Sequence, residues 1–232
     1  MDPGNIFLNT PVKVNFKPYG IDFPGGPTGG FTNGYTIADF WYKWSNKSLE
    51  PILLPYLHPL CKLKSNTKGF NYASETVGIL RDTSRSIGEN LPLGQQVKLF
   101  KETAEQYLPS LRAYNNKTKL SNALSKSIFV VRMGCNDYMN YLQPRSNTSK
   151  LYNAEQFGEF LVNELGNHLQ GLAMEGSHVV LRESMGVEIA NQELCLAKVG
   201  NHMYFGIECI QQRQYTSTLQ VNVSMEKAFA LP

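Results

Sequence analysis

The chain has 232 residues, of which 42% are hydrophobic, and a formal net charge of +3 at pH 7. This length and apolar content are enough for one domain with a substantial core and do not require two. Lysine and arginine are scattered, and the densest basic stretch, residues 62–68, also contains Ser65, Asn66 and Thr67. Because a nucleic-acid-binding surface needs clustered basic residues, the charge pattern argues against a nucleic-acid partner.

The four cysteines, Cys61, Cys135, Cys195 and Cys209, lack the spacing of a metal site. No two of them are two residues apart, and none has a histidine at the sequence separation of a metal-ligand pair. The sequence therefore predicts no zinc or other metal site. It also shows no disulfide framework, so we expect buried or reduced thiols.

The amino-terminal residues and the glycosylation sequons give conflicting indications of a secretory route. Residues 1–20 contain Pro3, Pro11 and Pro18 with polar residues between them, which predicts neither a signal peptide nor a transmembrane segment. Four N-x-S/T tripeptides are candidate glycosylation sites and begin at Asn46, Asn116, Asn147 and Asn222. They are weak indicators of a secretory route. A chain that lacks its true amino terminus would reconcile the two signals.

The first third of the chain predicts loops and one short helix. Residues 24–30, Pro-Gly-Gly-Pro-Thr-Gly-Gly, are typical of a loop dense in turns. A short helix is predicted from Thr36 to Trp44, with Thr36 as its N-cap and Asp39 as the acid that completes the cap. Residues 45–68 show no clear periodicity.

The middle of the chain predicts a helix followed by a strand. Apolar residues recur at steps of three and four over residues 93–113, which indicates an amphipathic helix. Pro109 should kink or end that helix. Residues 127–133 form a short run rich in β-branched side chains that ends at Gly134, which favours a buried strand.

A second helix and strand follow. Residues 153–174 repeat an apolar face, with Asn153 as N-cap, Gln156 completing a capping box and Gly176 ending the helix. Residues 178–181, His-Val-Val-Leu, predict another strand. Because helices and strands alternate, an α/β sheet with helices on its faces is expected. The pattern fades after about residue 185.

Four segments carry a resemblance to a known family through their order and spacing. They are residues 17–34 with 36–39, residues 69–74 with 78–80, residues 127–138, and residues 151–153 leading into 163–169. In these segments the chain resembles the plant GDSL-type esterases/lipases of the SGNH hydrolase superfamily, and the resemblance covers roughly residues 2–181. Asp2-Pro3-Gly4-Asn5 also resembles the Asp-x-Gly-Asn that follows the nucleophile of that family.

The resemblance implies a fold and a function. The expected fold is a flavodoxin-like three-layer α/β/α sandwich, incomplete at both ends, with a partial hydrolase domain over residues 1–185. Residues 186–232 are then expected to be a divergent, loosely packed segment. The implied activity is hydrolysis of carboxylic esters, with an acyl ester or lipid as substrate and no metal or organic cofactor. The implied location is extracellular or in the endomembrane system, and the oligomeric state is left open.

The resemblance also assigns one site residue. In this family a serine of Gly-Asp-Ser-Leu attacks the ester carbonyl, and a histidine of Asp-x-x-His takes its proton. The serine N–H, a glycine N–H and the asparagine amide of a Gly-x-Asn-Asp block hold the oxyanion. That block is Gly134-Cys135-Asn136-Asp137 here, so Asn136 is expected to be a vestigial oxyanion-hole residue.

The chain departs from the family pattern at its other catalytic positions. On this alignment the serine falls just before Met1, so no nucleophile is assigned. Glu75 stands where the family has glycine after Ala-Ser, and a carboxylate has the wrong charge beside a developing oxyanion. No Asp-x-x-His occurs among the 232 residues, so no general base is assigned. The chain as written is therefore expected to lack activity.

Several alternatives stay open. The chain is an inactive hydrolase, a non-catalytic ligand-binding or interaction protein that keeps the fold, or an active enzyme whose true ends lie elsewhere. Asn136 and Asp137 also fit a strand-to-loop turn, because asparagine and aspartate bond their own backbone. His168 is expected to pack on a helix face or lie at the surface, and no catalytic role is expected for His202.

Overall fold

The computed structural model describes residues 3–36, 39, 54–62, 69–144, 146–170 and 178–181. Some sequence predictions lie outside these residues. They include most of the helix that begins at Thr36, the helix end at Gly176 and the segment 186–232.

The regular elements of the described residues are helical segments and one pair of strands. The helices are α1 (Leu93–Glu102), α2 (Leu108–Ser110), α3 (Lys117–Ser125), α4 (Cys135–Tyr141), α5 (Thr148–Leu151) and α6 (Ala154–Gln170). The strands β1 (Ile128–Val131) and β2 (His178–Leu181) pair in parallel, with Ile128 opposite His178 and Val131 opposite Leu181. Short 3-10 helices cover Pro3–Phe7, Pro59–Lys62 and Arg85–Ile87.

The strand pair and the helices between its members establish an α/β arrangement. Both strands were predicted, and a parallel pair needs a crossover connection of the kind that α6 provides. The described part of the sheet has these two strands, so the three-layer sandwich stays a prediction. No helix in the described ranges has the length and apolarity needed to cross a bilayer.

The helix predicted over residues 93–113 is present but ends earlier. Regular α1 is followed by a π-helical turn, Thr103–Tyr107, and by α2, after which Leu111 is extended. Pro109 accounts for the early end, because its nitrogen carries no hydrogen and its ring clashes with the carbonyl four residues earlier. The π turn widens the helix over that stretch.

Two predicted helix caps are confirmed. At the start of α6, the backbone N–H of Asn153 donates to Gln156 Oε1 at 3.0 Å and the N–H of Gln156 donates to Asn153 Oδ1 at 2.9 Å. Upstream, the N–H of Thr36 donates to Asp39 Oδ2 at 2.7 Å and the N–H of Asp39 donates to Thr36 Oγ1 at 3.3 Å. Each reciprocal pair satisfies two N–H groups that a helix start leaves without partners.

One core joins α1, α3, α4, α6 and β1. Its buried side chains include Phe100, Leu124, Tyr141, Phe157 and Leu169. The rings of Tyr141 and Phe157 stack with centroids 4.4 Å apart, and Phe100 meets the strand residue Phe129 edge to face at 5.0 Å. This core attaches the strand and α4 to the two long helices, which fixes the position of the residues that follow β1.

The strand β1 is less buried than predicted. Phe129 and Val131 pack against the core, whereas Val130 is 39% exposed. Because successive side chains of a strand point to opposite faces, the core covers the face of Phe129 and Val131, and Val130 lies on the opposite face. The sequence predicted a buried strand, and the described residues of β1 are buried on the core side only.

Candidate functional site

Three segments that are far apart in the sequence meet in one polar cluster. They are the 3-10 helix that holds Asn5, the loop from Ser74 to Thr83, and the start of α4 with Asn136 and Asp137. Each of these segments includes residues that carry the family resemblance. The fold therefore brings the three sequence blocks together, although they are up to 132 positions apart.

Asn136 lies in the first turn of α4, close after β1. The helix follows Gly134, whose φ of 118° is in a region that favours glycine. The half-buried side chain of Asn136 donates from Nδ2 to the carbonyl oxygen of Val77 at 2.8 Å. This bond uses one of the two amide hydrogens and fixes the plane of the amide. The alternative prediction of a strand-to-loop turn was wrong, since these residues are helical.

Asp137 is 1% exposed and accepts three hydrogen bonds. Its Oδ2 receives the backbone N–H of Ile79 at 2.8 Å, and its Oδ1 receives the N–H of Leu80 at 3.1 Å and the hydroxyl of Thr83. Burial raises the pKa of the Asp137 carboxyl above its usual value, while these hydrogen bonds act in the opposite direction. The carboxyl group is thus a buried anchor for the loop.

Gly78 makes room for that anchor. A Cβ built on Gly78 would overlap Oδ1, Oδ2 and Cγ of Asp137. Its carbonyl oxygen also accepts the N–H of Leu93 at 3.3 Å, which ties the loop to the start of α1. A side chain at position 78 would therefore separate α4 from the loop.

Asn5 joins the amino-terminal segment to the same loop. It is 1% exposed, and its Oδ1 accepts the hydroxyl of Ser74 at 2.6 Å and the N–H of Glu75 at 2.9 Å. Its Nδ2 donates to the carbonyl of Val12 at 3.2 Å. The Ser74 hydroxyl in turn accepts the N–H of Leu91 at 3.2 Å. Because Ser74 is buried in this network, it is a structural residue.

The turn at Glu75 and Thr76 has a carboxylate and backbone N–H groups that are hydrogen-bonded within the protein. The N–H of Glu75 is bonded to Asn5, and the N–H of Thr76 faces Glu75 Oε2 at 3.4 Å. Thr76 has a φ of 62°, in the left-handed region that favours glycine. The backbone N–H groups of this turn are therefore used within the protein.

The described histidine side chains lie in packing contacts. A Cβ on Gly94 of α1 would stand 2.8 Å from Cε1 of His168, so His168 fills the space between α6 and α1, as expected. His58 meets the ring of Phe7 edge to face at 5.4 Å, and its Nδ1 accepts the N–H of Leu60 at 3.1 Å. His202 lies outside the described residues.

The remaining predicted sites are placed as follows. Within the described ranges no group of three metal-binding side chains comes together, and neither Cys61 nor Cys135 forms a disulfide. Asn116 and Asn147 are exposed. The other two sequons, at Asn46 and Asn222, and two cysteines, Cys195 and Cys209, lie outside the described residues.

Sequence reasoning missed the roles of Asn5, Gly78, Thr83 and Asp137. All except Thr83 stand in the segments that carry the resemblance, so their positions were marked but their function was not. No pattern of neighbouring residues predicts the contact between residues 5 and 74, or the contact between residues 79 and 137. Buried polar residues between elements are the signal that only a structure supplies.

The chain is similar to curated plant proteins. It is 36% identical over 189 residues to GDSL esterase/lipase 7 of Arabidopsis thaliana, which covers 80% of this chain and 50% of the relative. Two further GDSL esterases/lipases of the same plant are 34% and 36% identical over 179 and 175 residues, and the chain covers 44% of each. The chain thus spans about half the length of these relatives. No family model and no solved structure matches it.

Proposed function

The chain belongs to the GDSL esterase/lipase family, and on that premise we propose that its cluster of Asn136, Gly78 and Asp137 is the oxyanion side of a carboxylic ester hydrolase site. The observation that carries this proposal is the bond from Asn136 Nδ2 to Val77, which fixes the amide and leaves its second hydrogen for a ligand. The ligand is the carbonyl oxygen of an acyl ester or lipid as it takes on negative charge.

A fixed amide is suited to that task. A donor that is already oriented costs no reorganisation when the oxyanion forms, and removing one such donor typically lowers kcat by roughly 10²- to 10³-fold. Asn136 follows the carboxyl end of β1, which is where sites of open α/β sheets are built. Asn136 is therefore the residue assigned to substrate contact.

The 232 residues by themselves are proposed not to turn over esters. They contain no Gly-Asp-Ser and no Asp-x-x-His, the motifs that supply nucleophile and base in this family. The N–H groups of Glu75 and Thr76 are engaged within the protein, and Glu75 adds a negative charge. An oxyanion beside that carboxylate would be repelled.

The direct test is hydrolysis of short-chain p-nitrophenyl esters by the purified chain. The expected rate equals that of a heat-inactivated sample. Turnover above this control that a serine-directed phosphonate abolishes would show that the chain is a complete serine hydrolase.

A chimera tests Asn136 itself. The segment of this chain that matches GDSL esterase/lipase 7 replaces the corresponding segment of that protein, and Glu75→Gly is introduced to remove the opposing charge. Asn136→Ala should then lower kcat roughly 10²- to 10³-fold with little change in KM. Asn140→Ala, one turn further along α4, is the matched control and should leave kcat unchanged. An active chimera that tolerates Asn136→Ala would remove Asn136 from the site.

Glu75 also favours a second candidate, a non-catalytic ligand-binding or interaction protein that keeps the family fold. In that case the chain binds a fluorescent acyl ester without hydrolysing it, and Asn136→Ala weakens the binding. Absence of both binding and hydrolysis would reject this candidate for acyl ligands. A secreted or endomembrane location is a further proposal from the family.

A further inference from the structure

Two consecutive side chains of α4 hold neighbouring peptide units of one loop. Asn136 donates to the carbonyl oxygen of Val77 at 2.8 Å. Asp137 accepts the N–H groups of Ile79 and Leu80 at 2.8 and 3.1 Å. One side chain donates and the next accepts, so the loop is held at both its carbonyl and its amide groups.

The loop is shaped to receive the carboxylate. Gly78 lies between the held peptide units, and a Cβ there would overlap the carboxylate of Asp137. Thr83, further along the loop, adds its hydroxyl to Oδ1. Three donors from one loop thus bind one carboxyl group, and the loop holds these donors in place for it.

The Asn136 bond to Val77 keeps the amide fixed only as long as α4 and the loop stay together. Asn136 is half-buried, so water competes for its amide hydrogens and for the Val77 carbonyl. The helix α4 has seven residues, and a helix of that length is not stable by itself. Tyr141 anchors the far end of α4 in the core, whereas at the end that holds Asn136 the contact of Asp137 with the loop is the neighbouring one. The orientation of the amide therefore depends on Asp137.

We infer that Asp137 is a positioning residue for Asn136: its buried carboxylate locks α4 to the loop around Gly78 and so keeps the Asn136 amide in one orientation. This inference rests on the proposed oxyanion role of Asn136. Asp137 is 1% exposed, and this burial keeps its carboxyl group out of reach of a substrate, so it acts through its neighbour.

The test measures the Asn136 amide directly by NMR in the 232-residue chain. With ¹⁵N labelling, the two side-chain amide hydrogens give separate signals, and the one bonded to Val77 exchanges slowly with solvent. Asp137→Asn places an NH₂ group among three donors, and we expect exchange of that hydrogen to become at least tenfold faster. Thr83→Val should accelerate it less, and Thr83→Ser, which keeps the hydroxyl, should restore the slow exchange of the native protein.

A core variant separates positioning from general stability. Leu169→Ala removes a buried side chain from α6 and should lower Tm without changing the exchange at Asn136. Equal acceleration in Leu169→Ala, or native exchange in Asp137→Asn and Thr83→Val alike, overturns the inference. If Asp137→Asn does not fold, the Thr83 pair carries the test. None of these readouts needs activity, so failure of the chimera at Asn136 would refute the proposed function without altering this result.

Discussion

Asp137 fills the space in which a side chain on Gly78 would stand, because a Cβ at position 78 would overlap all three atoms of the carboxyl group. The backbone of Gly78 is not among those with a positive φ, so the requirement for glycine is spatial. A single missing methyl group thus allows helix α4 to reach the loop that leads to α1.

Gly78→Ala should destabilise the protein, since the added methyl group displaces the buried carboxylate from the N–H groups of Ile79 and Leu80. Overpacking and lost hydrogen bonds together should cost about 2–4 kcal/mol in the free energy of unfolding, measured by urea denaturation. Gly166→Ala is the matched control, because Gly166 lies within α6 with no atom near its added Cβ. It should stabilise the protein by about 0.5–1 kcal/mol. A Gly78→Ala variant as stable as the native chain would contradict the overlap.

The buried carboxyl group of Asp137 predicts a pH dependence. Burial raises its pKa above the usual value, so the folded protein binds a proton more tightly than the unfolded chain. The stability from this group is fully present below the unfolded pKa of about 3.9 and is lost as the pH rises through the higher folded pKa. The advantage of the native chain over Asp137→Asn should therefore be larger near pH 4 than at pH 7, as measured by Tm. An advantage that grows with pH would mean that the hydrogen bonds outweigh burial.

Local patterns predicted the elements that obey local rules. The capping box of Asn153 and Gln156 is read from spacing three apart, and the structure shows both of its bonds. The periodicity over residues 93–113 and 153–174 predicted apolar helix faces, and Phe100 and Phe157 are buried on those faces of α1 and α6. These features depend on neighbours within one helical turn, which is why a single sequence contains them.

The cluster around Asn136 was predicted only in part. The resemblance marked Asn136, but the acceptor at Val77 is 59 residues away and belongs to a loop without periodicity. The helix α4 was not predicted, because it is seven residues long and holds several poor helix formers, among them Asn136 and Asp137. Tertiary contacts, above all those of Asp137, override that weak local preference. Hydrogen bonds between residues far apart in the chain are therefore the part of the site that a single sequence does not predict.

The exposed sequon at Asn116 should accept a glycan without loss of the helix cap. Its Oδ1 accepts the N–H of Thr118 at 2.8 Å at the start of α3, whereas a glycan attaches through Nδ2. When the chain is expressed behind a secretory signal, peptide mapping after enzymatic deglycosylation should report modification at Asn116. Thr118→Ala should abolish it while keeping the cap, and hydrogen exchange within α3 should be the same with and without the glycan. Unmodified Asn116 in a secreted, folded product would contradict this prediction.

Replacing Asn5 with aspartate should destabilise the protein, although the two side chains have nearly the same shape. The amide group of Asn5 must both accept, from Ser74 and Glu75, and donate, to the carbonyl of Val12. Asn5→Asp keeps the two acceptor contacts but turns the donor into a negative charge that is 1% exposed and faces a carbonyl oxygen. The free energy of unfolding should fall by roughly 2–4 kcal/mol at pH 7.

The loss in Asn5→Asp should be smaller near pH 4, because the protonated acid regains a hydrogen to donate to Val12. Asn163→Asp is the matched control: Asn163 is exposed on α6, and its variant should unfold at nearly the same denaturant concentration as the native chain at both pH values. Urea denaturation of the three proteins at pH 4 and pH 7 measures the effect. An Asn5→Asp variant whose deficit does not shrink at low pH would show that the Val12 contact does not require a donor, and that the Ser74 and Glu75 contacts alone hold the amino-terminal segment to the loop.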